Sequence, residues 1–219
     1  MSNGPKIIDH TSPYYGNILP NGALIYSQNI VKNIIPNVKT ERNWVTINCH
    51  TACDDAIFFI HSNLDLEERY DFLRNYKNLV LVASQHSTVE ALQKLFPEHK
   101  TIYLPLSIDL HYTTQFKNPL PHQRAGTCYA GRPDKPYVDG LVGVTKLSNL
   151  THPDLLRALN DYKYCYAVGL TAIEAKLMGC ILLPFDQRYP DVRQWKILDG
   201  RQAAKLLQTE LDKIDKTKL

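Results

Sequence analysis

The chain has 219 residues, 44% apolar and 21% charged, with 25 Lys and Arg against 22 Asp and Glu for a net charge of +3. That is ordinary for a globular protein of one large or two small domains. The mild positive charge permits an anionic substrate and lacks the dense basic stripe of a nucleic-acid surface. No run approaches the roughly 20 apolar residues of a membrane span, and residues 1–10 show no positively charged start leading into an apolar core. The cysteines (Cys49, Cys53, Cys128, Cys165, Cys180) are odd in number, and three lie in apolar runs. Buried thiols in a reducing cytoplasm are therefore expected rather than a disulfide framework.

In chain order, residues 6–8 read as a first short strand, and residues 10–22, with Pro13, Gly16, Pro20 and Gly22, as loop. Residues 23–26 and 44–47 are β-prone, with a helix predicted around residues 30–35. Residues 56–61 (AIFFIH) predict a buried strand ending at His61. Ser62 or Asn63 can cap a helix with Asp65, Glu67 and Glu68 in its first turn. Residues 79–83 (LVLVA) are the clearest strand of the first half. Ser87 with Glu90 forms a capping box before an apolar stripe, and residues 101–104 return to β. Strands alternating with helices predict a parallel sheet covered by helices.

Residues 117–124, with Pro119 and Pro121, read as a linker, so the expected domains are 1–116 and 125–219. Residues 126–130 predict a strand followed by Gly131, Arg132 and Lys135, and Thr151 with Pro153 starts a helix. Residues 187–194 are a charged loop. Ala204, Leu207, Leu211 and Ile214 share one face of a C-terminal amphipathic helix.

The most informative stretch is residues 164–185, YCYAVGLTAIEAKLMGCILLPF. It reads as a strand, a turn at Gly169, a helix opened by a Thr171/Glu174 capping box, a left-handed stop at Gly179, and a buried strand. A helix start after a glycine turn presents unpaired N–H groups that can bind phosphate.

Three local patterns stand in order: the serine-ended strand at residues 81–84 with Pro105 and Asp109, then Gly131-Arg132 with Lys135, then Gly169 followed by Glu174-Ala175 and Gly179. Over roughly residues 79–185 this series resembles the retaining GT-B glycosyltransferases. The resemblance implies an α/β chain of two Rossmann-like domains of GT-B type, shortened, with an acceptor-side N-terminal domain, a donor-binding C-terminal domain and a cleft near residues 112–125. It implies sugar transfer from a nucleoside diphosphate sugar to an acceptor hydroxyl, without a metal or other cofactor. The serine-ended strand and the turn to Asp109 would close the first domain. Arg132 and Lys135 would hold the diphosphate beside Gly169, Leu170 and Thr171, Glu174 the donor ribose, and His61 would sit by the transferred sugar as the catalytic candidate. Two features depart from the family: Tyr166 stands where a second, sugar-contacting glutamate is usual, and Lys135 follows Gly131-Arg132 by a shorter gap. Compact members of this kind in phages make a hydroxymethylated base of phage DNA the leading acceptor, ahead of a protein, glycan or small molecule. The competing reading is a nucleotide or nucleotide-sugar binding protein without turnover.

Each candidate also has a plain structural explanation. Glu174 could only cap its helix, Arg132 and Lys135 could be a solvated loop, and His61 a strand-end histidine. Tyr164 and Tyr166 are expected to complete a core, and Asp54-Asp55 to be surface charge, since neighbours on a strand point to opposite faces. Cys49, His50, Cys53 and His61 lack the second cysteine pair of a zinc site, so no metal is expected.

Overall fold

The computed structural model describes residues 5–9, 22–47, 50–60, 65–119, 123–133, 135 and 137–216. It is an α/β structure whose two sheets, of five and four strands, are parallel throughout. The chain falls into two compact units. One takes in Ala23–Pro105 with the first strand and Gly200–Leu219, and the other Leu106–Asp199.

In the first unit, β1 (Lys6–Asp9), β2 (Trp44–Ile47), β3 (Ala56–Phe59), β4 (Val80–Ala83) and β5 (Lys100–Tyr103) lie side by side in chain order. Strands β3 and β4 are buried at every position, as the continuous apolar runs AIFF and VLVA require. Phe58, Leu79, Leu81 and Ala83 pack under Tyr70 of α2 (Leu66–Tyr70), Leu73, and Leu92 of α3 (His86–Leu95), with Phe96 closing the cluster. The alternating Ile57, Phe59, Val80 and Val82 are equally buried.

Residues 23–26, expected to be β, lie instead in α1 (Gly22–Asn29), which runs on into a π turn (Ile30–Ile34) and a 3-10 turn (Ile35–Asn37). A four-residue apolar run does not distinguish strand from buried helix, and tertiary packing decided here. The C-terminal helix α7 (Gly200–Lys216) buries Ala203, Ala204, Leu207 and Leu211 and packs on the π turn and β5. The tail predicted to belong with residues 125–199 is thus grouped with the first unit.

The second unit holds α4 (Leu110–Thr114), β6 (Ala125–Ala130), β7 (Thr145–Leu147), α5 (His152–Leu159), β8 (Tyr162–Tyr166), α6 (Leu170–Met178) and β9 (Ile181–Leu183). The strand order is β7-β6-β8-β9. The unit begins at Leu106, so the segment read as a linker lies inside it. Asn160 explains why: its side chain donates to the Phe116 carbonyl at 2.8 Å and accepts from the Asn118 N–H at 2.8 Å. Strand β9 is an edge strand with Ile181 50% exposed, where the sequence pattern had implied burial on both faces. Cys128, Cys165 and Cys180 are buried free thiols, as expected. Asp54 and Asp55 are exposed. No helix among the described residues is long and apolar enough to cross a membrane.

Candidate functional site

The order of the second sheet reverses after its first strand. From β6 the chain moves to one side, to β7, and returns by α5 to β8 on the other. Such a reversal opens a crevice beyond the carboxyl ends of the two strands that flank it, because their outgoing connections leave on opposite faces. Helices α5 and α6 share one face, where Leu159, Ala172, Ala175 and Met178 pack on Cys128, Cys165 and Leu182. The connection from β6 to β7 belongs to the other face, where Tyr129, Tyr166 and Phe185 form an aromatic group. The Phe185 ring lies 5.6 Å from Tyr129 and 6.0 Å from Tyr166, edge-on to both. Tyr166 is half-buried against Phe185, and Tyr164 is half-buried beside Lys163.

One row of the register organises the crevice. Tyr129 of β6 pairs with Tyr166 of β8, and Tyr166 with Leu183 of β9. Past the ends of these strands come Arg132, two residues after β6, Gly169, three after β8, and Asp186, three after β9. Two of these positions were read from the sequence, whereas Asp186 was not.

At the β6 exit, the Tyr129 hydroxyl donates to the Arg132 carbonyl at 2.7 Å and the Ser148 hydroxyl to the Gly131 carbonyl at 2.9 Å. Both carbonyls are thereby engaged by the body of the unit, while the Arg132 side chain is exposed. A Cβ on Gly131 would lie 2.6 Å from the Tyr129 hydroxyl, so the turn and this hydrogen bond require glycine. Lys135 is half-buried, and its charge, with that of Arg188, favours the ionised form of Asp186. The segment after β9 meets β6 through the Phe185–Tyr129 contact.

At the β8 exit, Gly169 has φ 66° and ψ −146°, a conformation confined to glycine, and a Cβ there would meet nothing within 4 Å. The helix starts at once, with Gly169 as N-cap and Leu170 as first residue. Thr171 is therefore inside the helix and the predicted capping box does not form. The Ser87/Glu90 box fails likewise, because α3 begins at His86 after an uncapped Gln85. Leu170 is buried and Thr171 half-buried, so what this turn offers a ligand is the unpaired N–H groups of a helix start.

Released from capping, Glu174 is buried, its side chain 2% exposed, and its Oε1 accepts from His152 Nε2 at 2.7 Å. A carboxylate only accepts, which puts the proton on Nε2. His152 is 8% exposed and opens α5, behind the Thr151 cap and before Pro153. The Tyr112 ring stacks on it at 5.7 Å, and Tyr112 is held in turn by its N–H to the Asp109 carboxylate at 2.9 Å. Asp109 thus caps α4 within the second unit. This chain joins α4, α5 and α6, and the sequence reading found only Glu174 and Asp109 of it. Thr151-His-Pro is the signal that places His152 at a helix start, but nothing local shows that it faces Glu174.

The second missed feature is Asp186, 2% exposed. Burial pushes its carboxyl up, but the side-chain and backbone hydrogen bonds from Arg188 and the charges of Arg188 and Lys135 outweigh this and hold it below the usual carboxylate range. His61 and Cys49 lie outside the described residues, as does Asp134 between Arg132 and Lys135. Among the described residues no group of three or more His, Cys, Asp or Glu side chains is arranged to hold a metal ion. The sequence matches no protein-family model and no curated protein.

Proposed function

We propose that this protein is a retaining glycosyltransferase of GT-B type, carrying a sugar from a nucleoside diphosphate sugar to an acceptor hydroxyl. The donor lies in the crevice of the second unit. The observation that supports this most is the strand-order reversal at β6 and β8, paired Tyr129 to Tyr166, from whose ends the Gly131-Arg132 turn and the Gly169 helix start follow within three residues. In open α/β sheets that is where nucleotides bind. Two parallel-sheet units in one chain are consistent with a two-domain GT-B enzyme.

In this reading Arg132 and Lys135 neutralise the diphosphate, and the N–H groups after Gly169 take a phosphate oxygen. Their charge matters most as the diphosphate leaves, when negative charge grows on its oxygens. With Oε1 taken by His152, Glu174 reaches the ribose through Oε2. Tyr166 offers an aromatic surface where the family has an acid. A hydroxymethylated base of DNA is the acceptor we favour.

A thermal-shift panel of UDP-, GDP-, ADP- and CMP-linked sugars tests the donor site, since a ligand that binds only the folded state raises apparent stability. One class should stabilise the chain, Arg132→Ala should lose the shift, and slow release of free sugar from that donor should follow. No shift with any donor refutes the reading. A second reading, a nucleotide-sugar binder without turnover, is favoured by the engagement of Glu174 with His152 and by Tyr166. It predicts the shift without sugar release in any acceptor mixture.

A further inference from the structure

The loop after β9 carries a cation that composition alone presents as one member of a charged stretch. Arg188 grips the buried Asp186 carboxylate at two points, Nε to Oδ1 at 2.8 Å and Nη2 to Oδ2 at 2.5 Å. Its own backbone N–H adds a bond to Oδ1 at 3.1 Å. A two-point grip fixes the plane of a guanidinium, where a single contact leaves it free to turn. It also uses only one edge of the fork. Nη1 makes no hydrogen bond to any described residue, and the Arg188 side chain is 31% exposed. The Tyr189 ring, 5.7 Å from the guanidinium carbon, further restricts it.

Position and charge point the same way. Phe185, beside Asp186 in the chain, packs on Tyr129 and Tyr166 near the ends of β6 and β8, and Lys135 acts on the Asp186 charge. The Asp186–Arg188 pair is neutral in itself, so Lys135 leaves this corner with one net positive charge among these three groups. Restricting an arginine before a ligand arrives lowers the entropy lost on binding, and a planar fork with a spare edge suits phosphate oxygens.

We infer that Arg188 is a further anion-binding residue of the crevice, contacting the donor diphosphate through its Nη1 edge, and that Asp186 is its positioning residue. This rests on the reading of the second unit as a nucleoside diphosphate site.

The test is calorimetric titration of the full chain with UDP, GDP, ADP and inorganic pyrophosphate. Wild type should bind pyrophosphate and at least one nucleoside diphosphate. Arg188→Gln should bind each of these at least tenfold more weakly. Arg188→Lys should fall between, because a point charge replaces the fork. The deficit of Arg188→Gln should shrink as salt is raised, a response that a purely structural clamp would not give. Because Arg188→Gln strands a buried carboxylate, the double variant Asp186→Asn/Arg188→Gln is titrated beside it, with circular dichroism to establish folding. It should bind as weakly as the single variant. Lys163→Gln, exposed near the amino end of β8, should bind as wild type does. Unchanged binding by the folded Arg188 variants, with weakening by Arg132→Gln, overturns the inference and leaves the donor site standing. No binding of any of the four probes by wild type overturns both.

Discussion

Removing Glu174 separates its two roles, the fixed partner of His152 and the contact for a ribose. The 2.7 Å bond joins two side chains that are 2% and 8% exposed, so water replaces neither partner. A hydrogen bond to a charged group contributes about 1.5–3 kcal/mol, and breaking a buried pair from one side costs about 3–5 kcal/mol. Glu174→Ala should therefore lose about 3 kcal/mol. At ~2–4 °C per kcal/mol for a chain of this size, the thermal midpoint of the chain should fall by about 6–12 °C. Glu174→Gln keeps the shape and a neutral acceptor and should cost about 1 kcal/mol. The assay is urea and thermal unfolding of Glu174→Ala, His152→Ala and the double variant, read as a double-mutant cycle. A coupling energy below about 0.5 kcal/mol, the usual scatter of independent sites, would refute the reasoning. If Glu174→Gln stays folded and loses nucleoside diphosphate binding, the ribose contact stands alongside the structural one.

Three further outcomes follow from named geometry. Gly179 ends α6 at φ 101°, and a Cβ there would lie 2.8–2.9 Å from the Arg124 guanidinium. Gly179→Ala should cost about 1–2 kcal/mol for the left-handed backbone alone, seen as a lower urea midpoint; an unchanged midpoint refutes it. Asn160→Ala removes the acceptor of the Asn118 N–H and the donor to the Phe116 carbonyl. It should destabilise by about 1–3 kcal/mol and speed proteolysis within residues 117–124, whereas an unaltered cleavage rate would mean that Asn160 does not anchor the segment. The Asp186 carboxyl is lowered in the folded state, so its contribution is present above the unfolded value of about 3.9 and is lost as pH falls through the folded value. The stability gap between wild type and Asp186→Asn should accordingly be constant above about pH 5 and close below it. A gap that widens on acidification contradicts that sign.

The parallel α/β character was legible because continuous apolar strands alternate with helical periodicity, and VLVA and AIFF admit little else. The Gly169 turn and the Gly179 stop were legible for a backbone reason, since both need conformations that glycine alone adopts readily. The capping boxes misled because the same four-residue pattern permits a helix to start one or two residues earlier. Once Gly169 had started α6, the Glu174 carboxylate faced α5. Domain limits were misread at Pro119 and Pro121 because the anchor of that segment, Asn160, is some forty residues away in the chain.

The sequence by itself determined most of the strands and helices and the glycine turns at Gly169 and Gly179. Each of these depends on backbone preference or side-chain type within a few residues. Only the tertiary structure decided the strand order β7-β6-β8-β9, the pairing of His152 with Glu174, and the placing of α7 with the first unit. Those outcomes depend on which strand lies beside which and on which buried polar groups must find partners across the fold.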